Sequence, residues 1–116
     1  MEDWQLDFEW LQVQHQVQQM MGYRDLPDLN GMLFLIGIQC LGRIEPSFSK
    51  EEKQDLMHIA VCELLSRQGS YEYVGRDVDG WPHYRQLKAV QTTGQEAQER
   101  LLRTLIIQYF NEMNEE

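Results

Sequence analysis

The sequence predicts a mainly α fold, a compact four-helix bundle-like domain with one β-hairpin inserted between helices 3 and 4. Three observations predict it. Apolar residues recur at helical spacing in four separate segments. Capping signals bracket several of those segments. Between the last two segments, one stretch alternates with period two around the pair Asp79-Gly80. With 116 residues the chain fits a single domain, 1–116, and can bury an apolar core without disulfide or metal staples. Apolar residues at 42% and charged residues at 25% argue against wholesale disorder.

The first helix is expected over about 3–21. Leu6, Trp10, Val13, Val17 and Met20 make one helical seam, and glutamines dominate the opposite arc. Trp4, Phe8 and Leu11 form a second, shorter seam on another side. One packing contact does not require both, so the second seam meets either a second intramolecular neighbour or a subunit, and Trp4, Phe8 and Leu11 are the candidate dimer interface of a homodimer. The second helix is expected over about 27–42, from Pro27 in its first turn to Gly42 as its C-terminal cap. Its interior, MLFLIGIQCL, has Gln39 as its one polar side chain and reads as the buried central element, with a buried strand over Leu33 to Ile38 as the competing reading that length disfavours. The third helix, about 49–67, opens on a Ser49–Glu52 capping box and carries a stripe of Met57, Ala60, Val61 and Leu64, with Leu56 and Leu65 flanking. The fourth, about 94–113, is expected to open on a Thr93–Glu96 box and buries Leu101, Leu102, Leu105, Ile106, Tyr109 and Phe110.

The hairpin is expected over about 71–88. A two-residue type I′ turn at Asp79-Gly80 pairs Val78 with Trp81, Arg76 with His83 and Val74 with Arg85. Pro82 then falls where the ladder needs no donor. Alternation in this register puts Arg76, Trp81, His83 and Arg85 on one face and the tyrosines on the other. The tyrosine face is assigned to the interior. Arg76, Trp81, His83 and Arg85 are therefore the candidate binding residues, since an aromatic beside arginines is a common interface anchor.

Charge and chemistry narrow the function. A net charge of −9 opposes general attraction to phosphates or anionic lipid. Aromatic and basic residues interleave around the hairpin, but four basic against three acidic residues over 67–88 make a poor groove for single-stranded nucleic acid. The acidic start, MEDWQLDFEW, lacks a secretory pattern, and the greasy run at 29–41 is too short to span a bilayer, so a cytoplasmic, membrane-free protein is expected. Cys40 and Cys62 read as buried thiols in a reducing compartment. An EF-hand fails, because Gly80 comes too early after Asp77 and position twelve is Lys88. His58 and Cys62 are one turn apart, yet nothing in the sequence positions further zinc ligands, so no metal or other cofactor is assigned. No catalytic residue is assigned either: His83 with Asp77 or Asp79 could pair as base and orienter, but no nucleophile motif accompanies them.

Two resemblances bear on these residues. Glu51, Glu52 and Asp55 resemble the EExxE motif of all-α nucleotide pyrophosphohydrolases. Here the last position is Asp55, and Ser66 stands where the downstream ExxD partner of Glu63 is required. The segment 71–110, with GRDVDGWPHY, QEAQERLL and QYF, resembles short uncharacterised bacterial proteins, chiefly of the Bacteroidetes type, that carry a G-x-D-x-D-G-W-P-H-aromatic stretch. That resemblance implies a bacterial cytoplasmic protein and carries no activity with it. The expected function is a small protein-interaction or ligand-binding module that self-associates. The alternative is a small metal-dependent hydrolase or nucleotide-processing enzyme using the 77–83 loop or the 51–55 acids.

Overall fold

The computed structural model describes residues 2–43, 45–90 and 92–114. Its elements, in chain order, are α1 (Asp3–Met21), α2 (Leu29–Leu41), α3 (Lys50–Ser66), β1 (Tyr71–Arg76), β2 (Pro82–Gln86) and α4 (Gln95–Asn114). The protein is thus mainly helical, with a two-stranded antiparallel hairpin between α3 and α4. Among the described residues, no helix is long and apolar enough to cross a membrane. The chain divides into two units, residues 1–29 with 92–116, and residues 30–91.

The first unit is built on α1 against α4. Leu6, Trp10, Val13 and Val17 are buried on α1, as are Leu102, Leu105, Ile106, Ile107 and Phe110 on α4. Asp3 pairs with Arg100, and Asp7 with Arg103 at 3.9 Å; both partners advance together, so the two helices run parallel. The Arg103 guanidinium also lies 5.6 Å from the centre of the Trp10 ring. Gly22 ends α1 in the left-handed region (φ 69°), which lets the Tyr23 amide reach back to the Gln18 carbonyl at 3.0 Å. Helix α4 begins at Gln95, after Gly94, whose carbonyl accepts from the Gln98 amide. Gly94 holds the cap position, one residue later than the Thr93–Glu96 box requires.

In the second unit, α2 starts two residues after Pro27, and Gly42 (φ 82°) caps it with a bond to the Ile38 carbonyl. Gly37 brings α2 against the backbone of α3. A Cβ there would stand 2.6 Å from the Leu56 carbonyl carbon and closer still to its oxygen. Leu41, Leu56 and Ile59 form a core cluster, covered by Phe34, Phe48, Trp81 and Tyr84 among others. The Ser49–Glu52 capping box is formed in both directions. On α3 the expected Ala60 and Leu64 and the flanking Leu56 and Leu65 are buried together with Ile59, while Met57 and Val61 of the stripe are half-buried.

The hairpin departs from the two-residue turn. Type I′ needs positive φ at both central residues, and here Gly80 (φ 86°) has it while Asp79 does not. The Asp77 carboxylate is the reason. Its Oδ1 accepts from the Asp79 and Trp81 amides, both at 3.0 Å, as the Gly80 amide bonds the Asp77 carbonyl at 3.0 Å. The Asp77 amide donates to the Trp81 carbonyl at 2.9 Å and closes a three-residue loop, Val78-Asp79-Gly80, with glycine in the left-handed position. The register becomes Arg76 with Pro82 and Gly75 with His83, then slips through a bulge so that Tyr73 meets Tyr84 and Glu72 meets Arg85. Arg76 therefore shares a face with Pro82 and Tyr84, not with His83 and Arg85 as the alternation argument expected.

Candidate functional site

The hairpin sits on α3 by its tyrosine-bearing face. Ser70, buried between them, donates its amide to the Leu65 carbonyl and accepts from the Leu87 and Lys88 amides. Pro82 is buried and Tyr71 and Tyr84 are half-buried, whereas Tyr73, expected inside with them, is exposed; the Tyr84 hydroxyl donates to Glu63 Oε2 at 2.8 Å. Burial first, then the bond to Glu63, pushes the Tyr84 phenol above its ordinary range. Cys40 is raised to about 11, by burial and then by the Glu63 charge. It is an inert thiol at neutral pH.

The four candidate binding residues fall in different places. Arg76 ties the hairpin to the end of α2. Its Nη2 donates to the Cys40 carbonyl at 2.8 Å, and its Nη1 to the Leu41 and Gly80 carbonyls at 3.0 and 2.7 Å. Those helix-end carbonyls lack intrahelical partners, and a cation suits the negative end of the helix dipole. Arg43 repeats the device, with Nη1 donating to the Asp79 carbonyl at 2.8 Å. Trp81 is half-buried and packs on the Leu41–Leu56–Ile59 cluster. His83 is exposed, and its Nε2–H donates to Asp77 Oδ2 at 2.9 Å. Arg85 is exposed and ion-paired with Glu72 across the strands. Trp4, Phe8 and Leu11 belong to α1 in the first unit and are 71%, 57% and 45% exposed.

Between α3 and the hairpin lies an open pocket of about 370 Å³, whose walls include Asp55, His58, Cys62, Asp77, Trp81 and His83. That volume is in the range of small-molecule sites, roughly 300–1,000 Å³. Asp55, His58 and Cys62 follow at i, i+3 and i+7, so one face of α3 presents all three. The Cys62 sulfur lies 3.6 Å from His58 Nε2, and burial raises the thiol above its ordinary range, which disfavours a thiolate. The Asp77 carboxyl is held below its ordinary range, chiefly by the His83 bond and then by the Trp81 amide. Both cysteines are free thiols. Among the described residues, no three His, Cys, Asp or Glu side chains converge as a metal-binding set. Of the 51–55 acids, Glu52 is engaged in its capping box and Asp55 alone reaches the pocket.

The sequence placed Asp55 only among the 51–55 acids of the alternative reading and His58 only beside Cys62, and joined neither to the hairpin residues that share the pocket. The shared helical face of Asp55, His58 and Cys62 was a visible signal, whereas the hairpin's seat opposite that face was not. Compared with protein-family models, curated proteins and solved structures, the chain matches none of them.

Proposed function

We propose that the protein is a small recognition module that binds its ligand in the pocket between α3 and the hairpin. The observation that carries this reading is the pocket itself: a partly apolar cleft in which Asp55, His58 and His83 are exposed beside a half-buried Trp81. Convergent polar groups around an aromatic wall are the usual make-up of a ligand site. The elements around it are tied by backbone bonds from Arg43, Arg76 and Asp77, so a ligand meets a preformed surface and loses little to ordering it.

A thermal-shift screen of small molecules, peptides, nucleotides and divalent metals, run on wild type beside an Asp55→Asn, His83→Ala variant, tests the reading. A ligand at 100 times its dissociation constant stabilises by about 2.7 kcal/mol. A shift seen in wild type and lost in the variant supports the pocket. Shifts confined to metals and nucleotides favour the hydrolase alternative, for which His83 would be the base and Asp77 its orienter. A panel with no shift at all ends the reading.

A separate observation supports self-association. Trp4, Phe8 and Leu11 present a contiguous aromatic and aliphatic stripe on α1, spaced four and three residues apart. We assign this stripe to a homodimer contact between copies of α1. Sedimentation velocity across a wide concentration range is expected to show a dimer that Trp4→Ser with Phe8→Ser dissociates at unchanged helicity. Monomeric wild type at every concentration overturns the assignment.

A further inference from the structure

We propose that the pocket between α3 and the hairpin takes an organic cation, a guanidinium or ammonium group, held by the Asp55 carboxylate against the Trp81 indole. This rests on the reading of the pocket as a ligand site and adds the chemical class of the ligand.

Charge decides the class. Among the described residues that line the pocket there is no lysine or arginine, whereas two carboxylates, Asp55 and Asp77, do line it. The two carboxylates are not equivalent. Asp77 is already committed, with one oxygen accepting from the Asp79 and Trp81 amides and the other from His83. Asp55 is exposed and has no hydrogen bond or ion pair among the described residues, so its charge is available. An anionic ligand would meet that carboxylate inside a chain of net charge −9, and a cation is attracted by both.

The remaining walls suit an organic cation better than a bare metal ion. Trp81 lines the pocket and is held in place by the core cluster, and an indole face is the best of the aromatic partners for a cation. A metal ion would need several converging donors. Asp55, His58, Cys62, Asp77 and His83 all reach this pocket, yet no three of them form a metal-binding set. A guanidinium needs less: one carboxylate for its fork of N–H donors and one flat ring to stack on.

The test is an amide NMR titration of the whole chain with methylguanidinium, methylammonium, inorganic phosphate, N-methylacetamide and Zn²⁺ as separate probes. The expected result is a saturable shift of the Asp55, His58, Trp81 and His83 amides with one or both cations. Asp55→Asn, an exposed helix-surface change that leaves the core untouched, should weaken cation binding by about tenfold, the effect of losing one charge-assisted contact. Added salt should weaken it further. Phosphate or N-methylacetamide binding there in place of the cations keeps the pocket as a ligand site and overturns the cation. Zn²⁺ binding without either cation overturns it in favour of a metal. Silence to every probe removes the pocket itself. The peptide Gly-Arg-Gly distinguishes the source: tighter binding than methylguanidinium places the cation on a protein chain, and equal binding places it on a small molecule.

Discussion

The two units of the chain are close in length and hold themselves together by different means. In the first, α1 and α4 meet along an apolar seam, and their ion pairs, Asp3 with Arg100 and Asp7 with Arg103, are largely solvent-exposed links of the kind that add little stability. Gln14 and Gln18 also donate there to the Pro27 and Arg24 carbonyls, whereas in the second unit the side-chain bonds to backbone join separate elements and fix the hairpin beside the apolar cluster. Arg76 holds three carbonyls, Arg43 one, the Asp77 carboxylate two amides, and Ser70 locks the base of the hairpin to α3. A seam of apolar contacts tolerates exchange of one hydrophobe for another of similar volume, whereas directional bonds to main-chain atoms specify one geometry. The difference teaches where each kind of function belongs. A stripe such as Trp4–Phe8–Leu11 can be changed without touching the helix pair's buried seam, but the pocket exists because the hairpin is fixed on α3.

The largest expected effect comes from the point where the second unit admits no side chain at all. Helix propensity alone makes Gly37→Ala stabilising by about 1 kcal/mol, because alanine is the better helix former. The structure reverses the sign, since the new methyl would overlap the Leu56 carbonyl group. Moving α2 away from α3 is the one remedy, and the expected loss is on the order of 3 kcal/mol, the upper part of the overpacking range. Urea denaturation measures it. Adding Leu56→Ala should give no relief, because the obstacle is backbone and not the leucine side chain. A stabilised Gly37→Ala variant would show that the helices are not packed this closely.

Arg76 and Arg85 sharpen the comparison at the next level down. Arg76→Met removes donors from the Cys40, Leu41 and Gly80 carbonyls, and the expected cost is about 1–2 kcal/mol after allowance for its exposure. Arg85→Met removes an exposed ion pair with Glu72 and should cost roughly 0–1 kcal/mol. Equal urea midpoints for the two variants would mean that the carbonyl bonds contribute nothing beyond a surface pair. The same two residues show what was legible in the sequence. Helical periodicity and the Ser49–Glu52 box placed α1 and α3, because those signals are local. The hairpin's existence was also local, carried by Asp79-Gly80. Its register was not, because it depended on whether the Asp77 side chain or positive φ at Asp79 would shape the turn. The three-residue loop moved Arg76 to the face of Pro82, and Gly75, a glycine inside a strand pattern, was the one local sign of the bulge that then pairs Tyr73 with Tyr84. The pocket was least legible, since it needs α3 and the hairpin to meet, and no local pattern records that meeting.

The smallest effect expected is the one that tests the turn directly. Asp77 is held below the ordinary carboxyl value of 3.8, with the His83 hydrogen bond as the largest cause and the Trp81 amide second. The folded chain therefore favours the charged carboxylate more than the unfolded chain does. That contribution is fully present above pH 3.8 and is lost as pH falls through the lower folded value. Because Asp77 is solvent-exposed, water screens much of it, and the transition should appear in local signals before any global unfolding. An NMR titration of the Asp79 and Trp81 amides is expected to show a common midpoint below 3.8, with the α1 amides reporting that the chain stays folded. His83→Ala should raise that midpoint towards 3.8 while leaving the two amide bonds in place. A midpoint indifferent to His83 would remove that bond as the main cause of the shift, and a wild-type midpoint at or above 3.8 would mean that the carboxylate does not organise the loop. The three-residue turn would then owe its shape to Gly80 alone.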